Sequence, residues 1–192
     1  KKAYDMKKED IRIRIRSQKS ILSDEAKLQA ARAAFEILAR HASFMMDEHI
    51  LLYHSLPDEL SSRSFIEKWA GRKHFYLPRV NGVNLEILPY DRSTLSLGAF
   101  HIEEPQGNET ADINDIELII VPGVAYDREG NRVGRGKGYY DRLLATSKAT
   151  KIGMAYDFQL VDEIDAEPHD IKVDFVITDK GSITIKHRKR HK

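Results

Sequence analysis

Residues able to carry chemistry crowd into one stretch of this 192-residue chain. From Arg132 to Asp141 it reads RVGRGKGYYD. Arg132, Arg135 and Lys137 supply three positive charges, Gly134, Gly136 and Gly138 alternate with them, and Tyr139, Tyr140 and Asp141 follow at once. Glycine lets a backbone approach a ligand closely. Interleaved cations and the N–H groups of a loop that opens a helix suit a phosphate. The same residues would also describe a tight connection with a solvated basic rim. Two well-known phosphate patterns are excluded. Gly-x4-Gly-Lys-Ser/Thr would need glycine at Asn131 and a hydroxyl residue at Gly138, and Gly-x-Gly-x-x-Gly would need glycine at Tyr139 or Asp141.

The elements on either side explain how such a loop is held. Ile116–Val121 is an apolar run of β-formers, the pattern of a strand buried on both faces. Asp127–Asn131 reads as a turn, with Gly130 and Asn131 free to take positive φ, and residues 139–147 read as a helix. Upstream, residues 5–19 are predicted helical: Ile11, Ile13 and Ile15 alternate like a strand, but their Lys, Arg, Glu and Gln flanks favour helix. Ser23 caps a second helix that runs to about His41, with Leu28, Ala31, Phe35 and Leu38 as its buried stripe. Residues 49–53 form a strand, 62–71 a helix and 74–80 a strand. Asn81-Gly82 then turns the chain back into an antiparallel partner at 83–89. Residues 91–114 look irregular, and further strands are expected at 150–156, 173–178 and 182–186. Strands alternating with helices predict an α/β fold, a three-layer α/β/α arrangement with a mostly parallel sheet plus an antiparallel hairpin addition. One domain is expected over residues 1–185, followed by a basic tail at 186–192. Ligands of such sheets sit at the carboxyl ends of the strands. There Arg79, the loop after Val121, Asp157 and the loop after Thr178 should converge.

Composition narrows the classes. Charged residues make up 32% and hydrophobic residues 41%, and there is no cysteine. This excludes disulfides, thiolate metal sites and a cysteine nucleophile, and is compatible with a cytoplasmic location. No apolar run approaches the ~20 residues that span a bilayer. The net charge of +1 conceals a polarity. Residues 1–20 hold eight Lys and Arg against three acids, KHRKRHK at 186–192 adds five more, and the body is acidic. A basic tail could touch nucleic acid, but no aromatic platform accompanies it, so nucleic acid is not an expected partner.

The segment PGVAYDREGNRVGRGKGYYD closely resembles the signature of the 5-formyltetrahydrofolate cyclo-ligase family, also called 5,10-methenyltetrahydrofolate synthetase. KKEDIRIRIRSQKSILSDEA resembles the family's opening, and YHSLPDELSS, FYLPRV, AFHIEEP and DFQLVDEIDAEPHDIKVDFVIT resemble later segments, so the likeness spans residues 7–179. Several residue roles are implied. Lys8, Arg12, Arg132, Gly134, Arg135, Gly136, Lys137, Gly138, Tyr139 and Tyr140 would bind ATP, with Arg132, Arg135 and Lys137 acting on the phosphoryl group. Glu59, Phe100 and Tyr139 would hold the folate, Glu59 at its pterin end. Asp141 and Asp174 would bind Mg²⁺. Many members carry a glycine where His101 stands here, and their glycine-rich loop is less basic.

On that resemblance the chain is expected to be an ATP-dependent ligase. It would convert 5-formyltetrahydrofolate to 5,10-methenyltetrahydrofolate with release of ADP and phosphate, needing ATP and Mg²⁺. It is expected to act as a cytoplasmic monomer whose partners are small molecules. Two other readings stay open from the residues themselves. His169-Asp170 could form a transition-metal site, or the acid–base pair of a sugar-phosphate isomerase. The chain could also be a non-catalytic binder of folate, or of nucleic acid through its tail.

Overall fold

Hydrophobic alternation decides the layers. The computed structural model describes residues 7–91, 95–97, 103–105 and 107–187. The helices are α1 (Lys8–Ser20), α2 (Asp24–Arg40), α3 (Ala42–Met46), α4 (Arg63–Trp69) and α5 (Tyr139–Ala145). The strands are β1 (His49–Leu51), β2 (His74–Asn81), β3 (Asn84–Pro89), β4 (Leu95–Leu97), β5 (Glu103–Pro105), β6 (Leu118–Pro122), β7 (Ala125–Tyr126), β8 (Arg132–Val133), β9 (Thr150–Met154), β10 (Phe175–Thr178) and β11 (Gly181–Thr184). Seven of them form one sheet in the order β11-β10-β9-β6-β1-β2-β3. The middle pairings are parallel, and β3 and β11 add antiparallel edges. Alternate side chains go to opposite faces. Ile50, Leu118, Ile120 and Ile152 pack under α2, α3 and α4, whereas Leu51, Ile119, Val121 and Val176 pack with Leu144 of α5. The expected three-layer α/β/α sheet is therefore present.

The route of the chain fixes where a ligand can sit. From β1 it moves outward to β2 and β3. It then returns to lay β6 on the other side of β1 and moves outward the opposite way to β9, β10 and β11. The direction of winding reverses between β1 and β6, which opens a crevice at their carboxyl ends.

The helix expected for the isoleucine segment is present as α1, and four other local details differ. Ile11 and Ile15 are buried while Ile13 is 55% exposed, so the alternating isoleucines lie on a helix, with the two that are four apart on one face. Leu28 is exposed: no residue of α2 before Ala31 is buried, so its first turns overhang the core. Ser23 does cap α2, accepting from Ala26 N–H. A further short helix, α3, follows with its own cap from His41. The 91–114 segment contains the β4–β5 ribbon, and the turn at 127–131 is flanked by a second ribbon, β7–β8.

Candidate active site

A cleft of about 840 Å³ opens at that reversal point, bordered by Tyr53 and His54 after β1, Pro78 and Val80 of β2, and Pro122 and Gly123 at the end of β6. The β7–β8 ribbon carries the glycine-rich loop into it. Asp127, buried at the start of the turn, holds the ribbon closed. Its Oδ1 accepts the N–H groups of Glu129 (3.0 Å) and Asn131 (2.9 Å), and its Oδ2 accepts the Asn131 amide (2.9 Å) and Ile164 N–H (3.0 Å). Gly130 sits at φ +87°, and a Cβ there would lie 2.7 Å from the Val173 carbonyl oxygen, so the turn admits no side chain.

From the ribbon, Arg132 points back into the protein. It is 7% exposed. Its Nη1 donates to the Pro122 carbonyl at 3.1 Å, its Nη2 lies 3.9 Å from Asp141, and its guanidinium covers the Tyr140 ring at 5.5 Å. Its buried Nε has no hydrogen-bond partner among the described residues. Three residues on, at Arg135, the loop becomes exposed. Arg135 reaches across to the loop after β1, 2.8 Å from Asp58 and 3.6 Å from Glu59. The Lys137 ammonium makes no ion pair among the described residues, which leaves it available to a phosphate.

Helix α1 closes the cleft from outside the sheet. Ile11 and Ile15 bury against Val124, Ala125, Val133 and Ile164. This turns Lys8 and Arg12 toward the loop. Arg12 Nε donates to the Gly134 carbonyl at 2.7 Å, and Lys8 Nζ lies 2.5 Å from Asp170. In the last turn of α1, Lys19 is buried 3.6 Å from Asp58. Burial lowers its pKa and the Asp58 charge only partly restores it. Burial works against the Asp58 charge too, yet Lys19 and Arg135 together hold that carboxyl below the usual range. Glu59 behaves oppositely. Burial pushes its pKa up, incompletely offset by Arg135 and by the 2.8 Å bond from Leu56 N–H. The cleft thus holds one well-ionised acid beside one that is strained as an anion.

The sequence profile of the 5-formyltetrahydrofolate cyclo-ligase family matches residues 5–179. A 5-formyltetrahydrofolate cyclo-ligase of Escherichia coli K12 is 29% identical over 174 residues, covering 85% of this chain and 96% of that one. One from Mus musculus is 26% identical over 187 residues, covering 88% and 92%. The solution structure of Aquifex aeolicus 5,10-methenyltetrahydrofolate synthetase superposes with a TM-score of 0.85 at 31% identity, over 96% of this chain and 99% of that one. The chain belongs to the 5-formyltetrahydrofolate cyclo-ligase family.

For a cyclo-ligase the cleft gathers most of the residues that the sequence singles out. Apart from Phe100 and Asp174, every residue to which the family resemblance gives a role lines it. Phe100 and His101 lie outside the described residues. Asp174 requires a correction. It precedes β10 at the amino ends of the strands, where its Oδ2 accepts Lys151 N–H at 2.8 Å and its Oδ1 meets His187 at 2.8 Å. The cleft lies about 15 Å away, the length of a five-residue strand, so Asp174 cannot share a cation with Asp141. The acid beside Asp141 is Asp170, whose neighbour Ile171 donates N–H to Asp141 at 3.4 Å.

Arg79 and Asp157 are also placed elsewhere. Arg79 forks onto Glu86 in the β2–β3 hairpin at 3.0 and 2.7 Å and donates to the Gly107 carbonyl, stiffening the wall without entering the cleft. Asp157 and Asp179 bind one another's loops: Asp157 N–H donates to Asp179 at 2.8 Å. His169 lines the cleft but is open to solvent, 3.2 Å from Glu167, and its neighbour Asp170 is committed to Lys8. Three contributors escaped sequence reasoning: Lys19, Asp58 and Arg142. Asp58 had a signal, an acid directly before Glu59. Lys19 looked like one more exposed cation of a basic helix.

Proposed function

We infer that this cleft carries the family's reaction: ATP and 5-formyltetrahydrofolate enter, and 5,10-methenyltetrahydrofolate, ADP and phosphate leave. One observation carries the reading. A single cleft presents a glycine-rich loop with a lysine that makes no ion pair among the described residues and, from a different element, a mostly buried carboxylate, the two kinds of group that a phosphoryl donor and a pterin require.

The chemical problem is that an N5-formyl group is an amide and a poor electrophile. Its oxygen attacks the γ-phosphorus and ADP leaves. N10 then bonds to the activated formyl carbon, phosphate departs with the former formyl oxygen, and N10 releases its proton. Most of the protein's part is charge and position. Lys137, Arg135 and Lys8 neutralise the moving phosphoryl group. Arg12 fixes the loop through Gly134. Glu59 accepts side-by-side N–H donors of the pterin, and Tyr139 offers a flat apolar face to the folate. Arg132, buried under Pro122 and Tyr140, steadies Asp141 and the loop from behind.

Asp141 fits Mg²⁺: it faces the cleft, and its Oδ2 makes no bond among the described residues. Asp141 would hold the ion, since Mg²⁺ takes one or two carboxylates together with nucleotide phosphates and waters. When bound it would neutralise phosphate charge. We place the enzyme in the cytoplasm, acting as a monomer. The test is the near-ultraviolet absorbance of methenyltetrahydrofolate on mixing protein, 5-formyltetrahydrofolate, ATP and Mg²⁺. A rise that disappears without ATP supports the assignment, and no rise from folded protein overturns it.

A further inference from the structure

Arg142 lies one turn into α5, exposed, and forms no ion pair among the described residues. Its guanidinium instead gathers backbone carbonyls from two separate walls of the cleft. Nε donates to Val83 O at 2.9 Å, and Nη2 donates both to Val83 O and to Lys137 O, the latter at 2.8 Å. Val83 belongs to the tip of the β2–β3 hairpin and Lys137 to the glycine-rich loop. The same guanidinium lies 5.5 Å from the centre of the Tyr139 ring, and the Tyr139 hydroxyl donates to the neighbouring Gly82 carbonyl at 3.4 Å. Gly138, at φ +71°, leaves it room: a Cβ there would fall 2.6 Å from Nη1. A planar fork is suited to this task, because it can hold two acceptors at fixed angles where an ammonium holds one.

We propose that Arg142 is a positioning residue for phosphoryl transfer: it ties the glycine-rich loop to the hairpin tip and thereby sets where Lys137 meets the γ-phosphate. The hairpin end of the tie is stiff, since Arg79 and Asn81 both grip Glu86 within it. Among the described residues, Arg12 at Gly134 and Arg135 at Asp58 and Glu59 tie the loop before Lys137 in sequence. After Lys137, Arg142 is the anchor that bonds the loop's own backbone, with the long Tyr139 bond to Gly82 beside it. This proposal rests on the cyclo-ligase reading of the same cleft.

The test is a double-mutant cycle of Arg142→Ala with Lys137→Ala, read as kcat/KM for ATP below the melting temperature of all four proteins. Arg142→Ala alone is expected to lower kcat/KM about thirtyfold, within the cost of a lost transition-state contact. In the Lys137→Ala background the same change should cost less than about threefold, because residues that act through one another are not additive. Arg142→Lys, which keeps the charge and can hold one carbonyl, should recover part of the loss, and it carries the cycle if the alanine variant does not fold. Multiplying losses, or a change below about twofold in the single variant, overturn the proposal. Running the cycle on calorimetric binding of a nonhydrolysable ATP analogue separates the two layers. Wild-type protein that binds the analogue without making product overturns the cyclo-ligase reading, while the coupling seen in binding still decides the role of Arg142.

Discussion

Glu59→Gln should make the protein at least as stable and much worse at its task. The carboxylate is mostly buried, with its side chain 11% exposed. Oε1 takes the 2.8 Å bond from Leu56 N–H, which glutamine preserves. What glutamine loses is the Arg135 contact, already long at 3.6 Å, and what it removes is a buried charge. Because burial raises the folded-state pKa of Glu59, the native state binds its proton more tightly than the unfolded state does. The stability linked to Glu59 is therefore fully present below the unfolded pKa and is lost as pH rises through the folded one. At neutral pH the wild type carries the whole penalty, and the glutamine variant carries none of it. Relief of this kind is worth about 0.5–2 kcal/mol, or a rise of a few degrees at ~2–4 °C per kcal/mol for a chain of this length. The gain should shrink in acid, where Glu59 is protonated. Folate binding should move the other way. Hydrogen bonds to a charged acceptor are worth about 1.5–3 kcal/mol, so affinity for 5-formyltetrahydrofolate should fall roughly 10- to 150-fold. Melting curves at pH 8 and pH 4, with calorimetric titration of the folate, read both halves. A glutamine variant clearly less stable at pH 8, or one that binds folate within threefold of wild type, would refute the argument.

Lys137→Ala should lower kcat by about 10²–10³ with an unchanged melting temperature, since the exposed ammonium supports nothing else; a coincident loss of stability would make it structural. Asp174→Asn should leave turnover and Mg²⁺ dependence within twofold of wild type. Asp141→Asn should raise the Mg²⁺ requirement at least about tenfold, the scale seen even for outer partners of a metal ligand; titrating Mg²⁺ against rate for both variants would expose a reversed order. Asp127→Ala strands four donors at the ribbon turn and should cost about 3–5 kcal/mol, a fall of roughly 6–20 °C in Tm. A loss below 1 kcal/mol by denaturant titration would show that water replaces the carboxylate.

Much of this architecture is legible because it follows from local periodicity. Ile116–Val121 could hardly be anything but a central strand, and Asn81-Gly82 gives a hairpin with the expected partner. Where reading failed, the deciding interaction was distant. Leu28 has helical spacing to Ala31 and Phe35, but nothing in the sequence says that the sheet ends before it. The two acids of HDIKVD differ by four residues, and only the fold shows that Asp170 reaches the cleft whereas Asp174 stays at the other end of the strands. β7 and β8 are two residues each, too short for any alternation to show. The glycine-rich loop was readable by composition, but its ties to Asp58 and Val83 cross long stretches of chain, and no spacing rule reaches that far.

The position of α1 also affects how the enzyme comes into being. Lys8 and its partner Asp170 are separated by 162 residues. On a ribosome adding ~5–20 residues per second, the helix waits roughly 10–30 s before that carboxylate exists. Its other neighbours, Val124, Ala125 and Val133, are also made late. A nascent chain could therefore complete α2 to α4 with β1 to β3 and remain inert, with Ile11 and Ile15 uncovered. Catalytic competence arrives in a single closing event, when α1 docks on chain made long after it. Slow synthesis would prolong exposure of that isoleucine pair, making it a natural foothold for a chaperone.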